Sequence, residues 1–132
     1  GSTFLQKGIH DSTLTQFKYP NGVEGHIFVS WLHPFKEHRL VVIGSEAMIT
    51  FEDSSEGKPL KLYAKKFDMA KGVPEKIDGP VTLIDYEQKM ALTEELQYFV
   101  DHLEGKKPNI ANGNHALEVM KILIEASQQL TK

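Results

Sequence analysis

The spacing of apolar side chains changes once along this chain, from a period of two before Leu92 to the three-and-four spacing of a helix after it. Strands first and helices last restrict the chain to an α+β architecture, because an alternating parallel fold would interleave the two. The expected arrangement is a largely antiparallel, open-faced sheet with two C-terminal helices packed on one of its faces. At 132 residues a single domain with one core is expected.

The strand-like half divides at its turn residues. Thr13 to Tyr19 alternates, setting Leu14, Gln16 and Lys18 against Thr13, Thr15, Phe17 and Tyr19. Pro20-Asn21-Gly22 then reverses the chain, since Asn and Gly tolerate positive φ. The return strand, from about Val23 to Leu32, carries apolar groups on both faces, so a second domain or subunit is expected against the face that the helices leave open. Leu40 to Ile43 and Ala47 to Phe51 form a second hairpin through Gly44-Ser45-Glu46. The polar stretch Glu52 to Pro59 reads as an exposed loop. Leu60 to Phe67 reads as one strand, Asp68 to Pro80 as an irregular crossing, and Val81 to Ile84 as a last short strand.

In the helical half, Leu92, Leu96, Phe99, Val100 and Leu103 form one stripe on a helix ending near Gly105. Asn114 is placed to cap a second helix running to about Leu130, with Leu117, Met120, Leu123, Ile124 and Ser127 facing inward. Acidic Glu94, Glu95, Asp101 and Glu104 with basic Lys106 and Lys107 suit a solvated helix face rather than a catalytic pair.

Charge and composition exclude several function classes. A net charge of −3 argues against a nucleic-acid partner held by bulk electrostatics. No apolar run approaches the roughly 20 residues of a membrane span. The lack of cysteine removes disulfide and thiolate chemistry and fits a cytoplasmic protein. Gly1-Ser2 reads as the remnant of a cleaved expression tag, which makes residues 3–132 a fragment of something longer.

The chemistry-bearing residues gather where the second strand breaks. Pro34 offers no N–H and stops the ladder, leaving Trp31, His33, Lys36 and Arg39 at the end of a sheet. An indole face packs on sugar C–H groups, an arginine fork grips a diphosphate or carboxylate, and a lysine adds a point charge. The plainer alternatives are core or interface packing for Trp31 and a solvated turn paired with Glu37 for Lys36 and Arg39. His26, His33 and His38 lack the spacing of a metal motif, and no metal site is assigned.

Taken together, Asp11, Tyr19-Pro20-Asn21-Gly22, the run from Gly25 to Pro34 with Lys36 and Arg39, Val42-Ile43-Gly44-Ser45, Phe51-Glu52-Asp53, the helix from Leu92 to Leu103 with Gly105 and Pro108, and Ala116 to Val119 resemble one family. It is the glucose–fructose oxidoreductase, inositol dehydrogenase and MocA family of NAD(P)-dependent oxidoreductases, in its C-terminal domain. The Ser-Trp-Leu-His-Pro core is most like the branch acting on nucleotide-linked amino sugars. The resemblance implies a C-terminal domain of the dihydrodipicolinate reductase/glyceraldehyde-3-phosphate dehydrogenase-like kind, which walls a sugar site and forms homo-oligomers through its open sheet face. It also implies a preceding Rossmann domain that binds NAD(P). This chain holds no Gly-x-Gly-x-x-Gly turn and no Glu-Lys-Pro motif, and Gly8-Ile9-His10 does not supply the family's catalytic histidine. No cofactor-binding or catalytic residue is therefore assigned here. Trp31, His33, Lys36 and Arg39 are the expected substrate-side residues, and the alternative is a stand-alone assembly or ligand-binding module.

Overall fold

The computed structural model describes residues 1–70, 72–106, 108 and 110–130. By its internal contacts the chain falls into two units, one of Gly1–His33 with the described residues from Lys89 onward, the other of Pro34–Gln88. Their secondary structure is of the expected mixed kind, antiparallel sheets and two helices.

The first unit begins with an antiparallel ribbon of β1 (Ser12–Lys18) and β2 (Glu24–Ser30), in register from Ser12 opposite Ser30 to Lys18 opposite Glu24. Its turn is the three-residue kind in which a type I turn is followed by a left-handed residue. The Gly22 amide donates to the Tyr19 carbonyl at 3.0 Å, and the Tyr19 amide donates to Val23 at 2.9 Å. Gly22 sits at φ +84°, where a side chain would be strained.

Two helices complete this unit, α1 (Ala91–Asp101) and α2 (Gly113–Leu130). α1 starts without a side-chain cap and closes on His102, whose Nδ1 donates to the Tyr98 carbonyl at 2.6 Å while its ring lies 4.1 Å from the Tyr98 ring. Leu103 lies beyond the helix, in the turn that leads to left-handed Gly105. α2 is capped by Asn112 rather than Asn114: the Asn112 Oδ1 accepts from the His115 amide at 3.0 Å. Asn114 already lies inside the first turn, where its side chain has no such reach. Among the described residues of this unit, no extended packing joins either helix to the ribbon or to the other helix. Leu92, Leu96 and Phe99 are therefore exposed, as are Leu117 and Leu123.

In the second unit β3 (Arg39–Ile43), β4 (Met48–Glu52) and β5 (Leu60–Tyr63) pair as antiparallel neighbours. The strand expected over Leu60 to Phe67 breaks after Tyr63. Lys65 donates its amide back to the Tyr63 carbonyl at 2.8 Å, and the chain re-enters extended form as β6 (Lys66–Asp68). β6 pairs with β7 (Glu75–Ile77), so part of the expected irregular crossing is a strand. β8 (Val81–Leu83) joins β5, giving the order β3-β4-β5-β8. Gly79 permits that return: a Cβ there would lie 2.3 Å from the Ala64 carbonyl oxygen. Three separate sheets thus stand where one was expected.

Among the strands, burial is greatest at the centre of the four-stranded sheet, where all of β5 and most of β4 are half-buried. No apolar side chain among the described residues is fully buried. No helix among them is long and apolar enough to cross a membrane.

Candidate functional site

The most tightly organised corner of the first unit surrounds Asp11, the one buried charged residue described, at 4% exposure. An aspartate just before a strand can turn its carboxylate back on preceding amides. Here the carboxylate accepts from Phe4 at 2.5 Å and Leu5 at 2.8 Å. Those amides, Leu5 first, hold the carboxyl below the ordinary aspartate range; burial opposes them and His10 adds a smaller push downward. The Asp11 backbone is occupied as well. Its amide donates to the Ser2 carbonyl and its carbonyl accepts from the Trp31 amide, both at 2.8 Å.

Asp11 therefore fixes where β2 ends and where Trp31 begins its departure. The Ser30 hydroxyl continues the turn by accepting from the Leu32 amide at 3.1 Å. The indole of Trp31 is left 83% exposed, an open aromatic face beside an anchored backbone. His33 follows at the limit of this unit.

The second unit carries its polar groups where β3 starts and β4 ends. Arg39, the first residue of β3, is committed to carboxylates: its guanidinium lies 2.9 Å from Glu37 and 3.9 Å from its cross-strand partner Glu52. The pairing with Glu37 is the plainer of the two alternatives raised by the sequence. Lys36 is exposed in the irregular segment before it.

Next to Arg39, the loop from Glu52 to Pro59 is closed by a three-membered clasp. Asp53 lies 2.7 Å from the Lys58 ammonium and 3.7 Å from His38 Nδ1, and its amide donates to the His38 carbonyl at 2.9 Å. The hydrogen bond and charge of Lys58 hold the Asp53 carboxyl low, with His38 a lesser contributor, and Asp53 in turn raises Lys58. Gly57 and Lys58 are both left-handed, at φ +71° and +41°. Their carbonyls accept from Gln88 and the Tyr86 hydroxyl, each at 2.7 Å, and the Tyr86 ring meets Phe51 edge-on. Two consecutive left-handed residues are thus held from outside the loop.

The four residues singled out by sequence divide between the units, Trp31 and His33 in one, Lys36 and Arg39 in the other. Sequence reasoning missed the anchoring role of Asp11 and the Asp53–Lys58–His38 clasp. Asp11 had a readable signal, an Asp at the mouth of a strand following a glycine-containing turn. The clasp had none, because its members are spread over a loop that reads only as polar. Neither group presents a nucleophile with a base behind it, and among the described residues no three His, Asp or Glu side chains converge on a metal position. What the corner offers chemically is aromatic stacking on a rigid backbone. In comparisons with known proteins, no family model, no curated protein and no solved structure matches this chain.

Proposed function

We propose that this chain is the substrate-walling and oligomerisation module of a larger NAD(P)-dependent sugar oxidoreductase, acting on a nucleotide-linked hexose. The observation that carries the reading is the exposure of its apolar faces together with the Trp31 indole. Burying a Leu, Val or Phe side chain contributes about 1.5–3 kcal/mol, and with no described apolar side chain fully buried most of that favourable term is left unused. Such elements are built to be covered. In the intact protein the cover would be another polypeptide surface, with the open-faced sheet and its two packed helices forming only there. Trp31 would lie along the sugar ring and His33 beside it, both in the first unit.

The residues present do not fit the dinucleotide itself. Among the described residues no strand runs through glycines into a helix N-terminus, and the first turn of α2 already receives Asn112. The cofactor would supply the hydride chemistry from elsewhere in the polypeptide; this chain would orient the sugar. The second reading, a stand-alone assembly or ligand-binding module, is favoured by the same exposed faces but not by the Ser-Trp-Leu-His-Pro run.

Titration calorimetry of the chain with NADH is expected to show no binding heat, and tight binding would overturn the division of labour. Trp31 is the only tryptophan, so its fluorescence reports directly on a UDP-N-acetylhexosamine probe. The reading frame separates the two functions: a βαβ unit with a glycine-rich turn ahead of Thr3 supports the oxidoreductase, and a start codon there supports the stand-alone module.

A further inference from the structure

The two edges of the four-stranded sheet are not alike. β8 is three residues long and follows Pro80, which has no N–H to offer, so that edge is blunted. β3 is five residues long, has no proline or bulge, and among the described residues pairs on one side only. Its Leu40, Val41, Val42 and Ile43 are 61, 47, 54 and 71% exposed. The single charge, Arg39, stands at one end and is tied to Glu37 and Glu52 within the same unit.

The ladder shows which backbone groups point outward. The Asp53 amide donates to the His38 carbonyl and the Gly44 amide to the Ala47 carbonyl, so the hydrogen-bonded pairs with β4 fall at even positions, including Leu40 with Phe51 and Val42 with Ile49. Arg39, Val41 and Ile43 therefore direct their N–H and C=O groups away from β4, along the open edge.

We infer that a second copy of this chain pairs with that edge, β3 against β3 in antiparallel register about a two-fold axis at Val41. In this register Val41 faces its own counterpart and Arg39 faces Ile43, and each such pair exchanges two backbone hydrogen bonds. Leu40 then lies opposite Val42 on the other face, so the apolar pairs close on both sides of the joined sheet. Lys36 at the basic end comes alongside the partner's turn bearing Glu46, whose carboxylate is held at 2.8 Å by Lys66 of its own chain and still faces water. A strand whose reversed copy is its own complement selects a second copy over an unrelated peptide. The inference concerns the sheet edge and stands apart from the oxidoreductase reading, which uses the faces.

The chain contains no cysteine, which makes single-cysteine variants specific. Val41→Cys should form a disulfide-linked dimer under mild oxidation. Ile43→Cys should remain a thiol, because its counterpart lies about 14 Å along the strand. Sedimentation velocity of the unmodified chain should show a concentration-dependent dimer. Val41→Lys, which sets two ammonium groups face to face, and Val41→Pro, which removes only an outward N–H, should each weaken it by about tenfold or more. A monomer at every concentration, equal cross-linking at both positions, or a dimer indifferent to Val41→Lys would overturn the pairing. Should the proline variant fail to fold, the cysteine pair still decides.

Discussion

The central strands of the sheet and the two helices carry comparable apolar sequences but differ in what surrounds them. β4 and β5 have a hydrogen-bonded neighbour on either edge, and Phe51 meets the Tyr86 ring, so they are half-buried by their own unit. α1 and α2 are held from outside only by polar contacts near their ends, such as Asn112 on His115 and the Ile110 amide on the Tyr98 hydroxyl, and their apolar stripes stay open, with Leu96 57% and Leu117 60% exposed. A strand acquires part of its burial from the ladder that forms it. A helix acquires burial only by packing, and 11 residues are too few for an unpacked helix to be stable in water.

The contrast is sharpest in amide exchange. In the free chain the β4 and β5 amides should open at a cost of several kcal/mol, and those of α1 at about 0–1 kcal/mol. Hydrogen–deuterium exchange of the 11 α1 amides measures the difference directly. Equal protection in both would break the comparison, and selective protection of α1 on adding a covering partner would sharpen it.

Gly79→Ala attacks the favoured side. A methyl group 2.3 Å from the Ala64 carbonyl must push the β5–β8 junction apart, since the obstacle is backbone and cannot rotate away. The expected loss is about 1–3 kcal/mol in urea unfolding followed by far-ultraviolet dichroism. Asn112→Ala attacks the other side by removing the acceptor for the His115 amide. A cap of this kind contributes about 1 kcal/mol where the helix is part of the cooperative fold. If α2 is uncovered and melts independently, the loss appears as lower helicity with the sheet transition unmoved.

What the sequence disclosed follows the same division. Pro20-Asn21-Gly22 and Gly44-Ser45-Glu46 announced both hairpins, because a turn is specified by the residues inside it. The helical stripes announced α1 and α2 for a similar reason. The break at Ala64 was hidden: alternation continues from Leu60 to Phe67 without Gly or Pro, and the cause lies at Gly79, fifteen residues on from Ala64, where the returning chain approaches. The cap moved from Asn114 to Asn112 because either asparagine suits the role and only the amide three residues onward decides. For the residues singled out at the strand break, the sequence pattern does not disclose what holds them. Trp31 owes its position to Asp11, and Arg39 to Glu37 and Glu52, partners that the sequence pattern does not pair.

The smallest expected effect is the pH response of the clasp at the end of β4. Asp53 is held below its usual value by Lys58, so its contribution is fully present above the unfolded aspartate value near 3.9 and is lost as pH falls through the folded value. Lys58 is held above its usual value by Asp53, so its contribution is fully present below the unfolded lysine value near 10.4 and is lost as pH rises through the folded value. Between those limits the clasp is at full strength, and because both side chains face water it should weaken with added salt. Carbon-detected titration of the Asp53 carboxyl reads the effect without unfolding anything. Lys58→Met should return that carboxyl toward the ordinary aspartate value, and His38→Gln should move it less, in keeping with contacts of 2.7 and 3.7 Å. A titration unmoved by Lys58→Met would mean that the loop is held by Tyr86 and Gln88 alone, and that the second unit owes its order to backbone carbonyls rather than to charge.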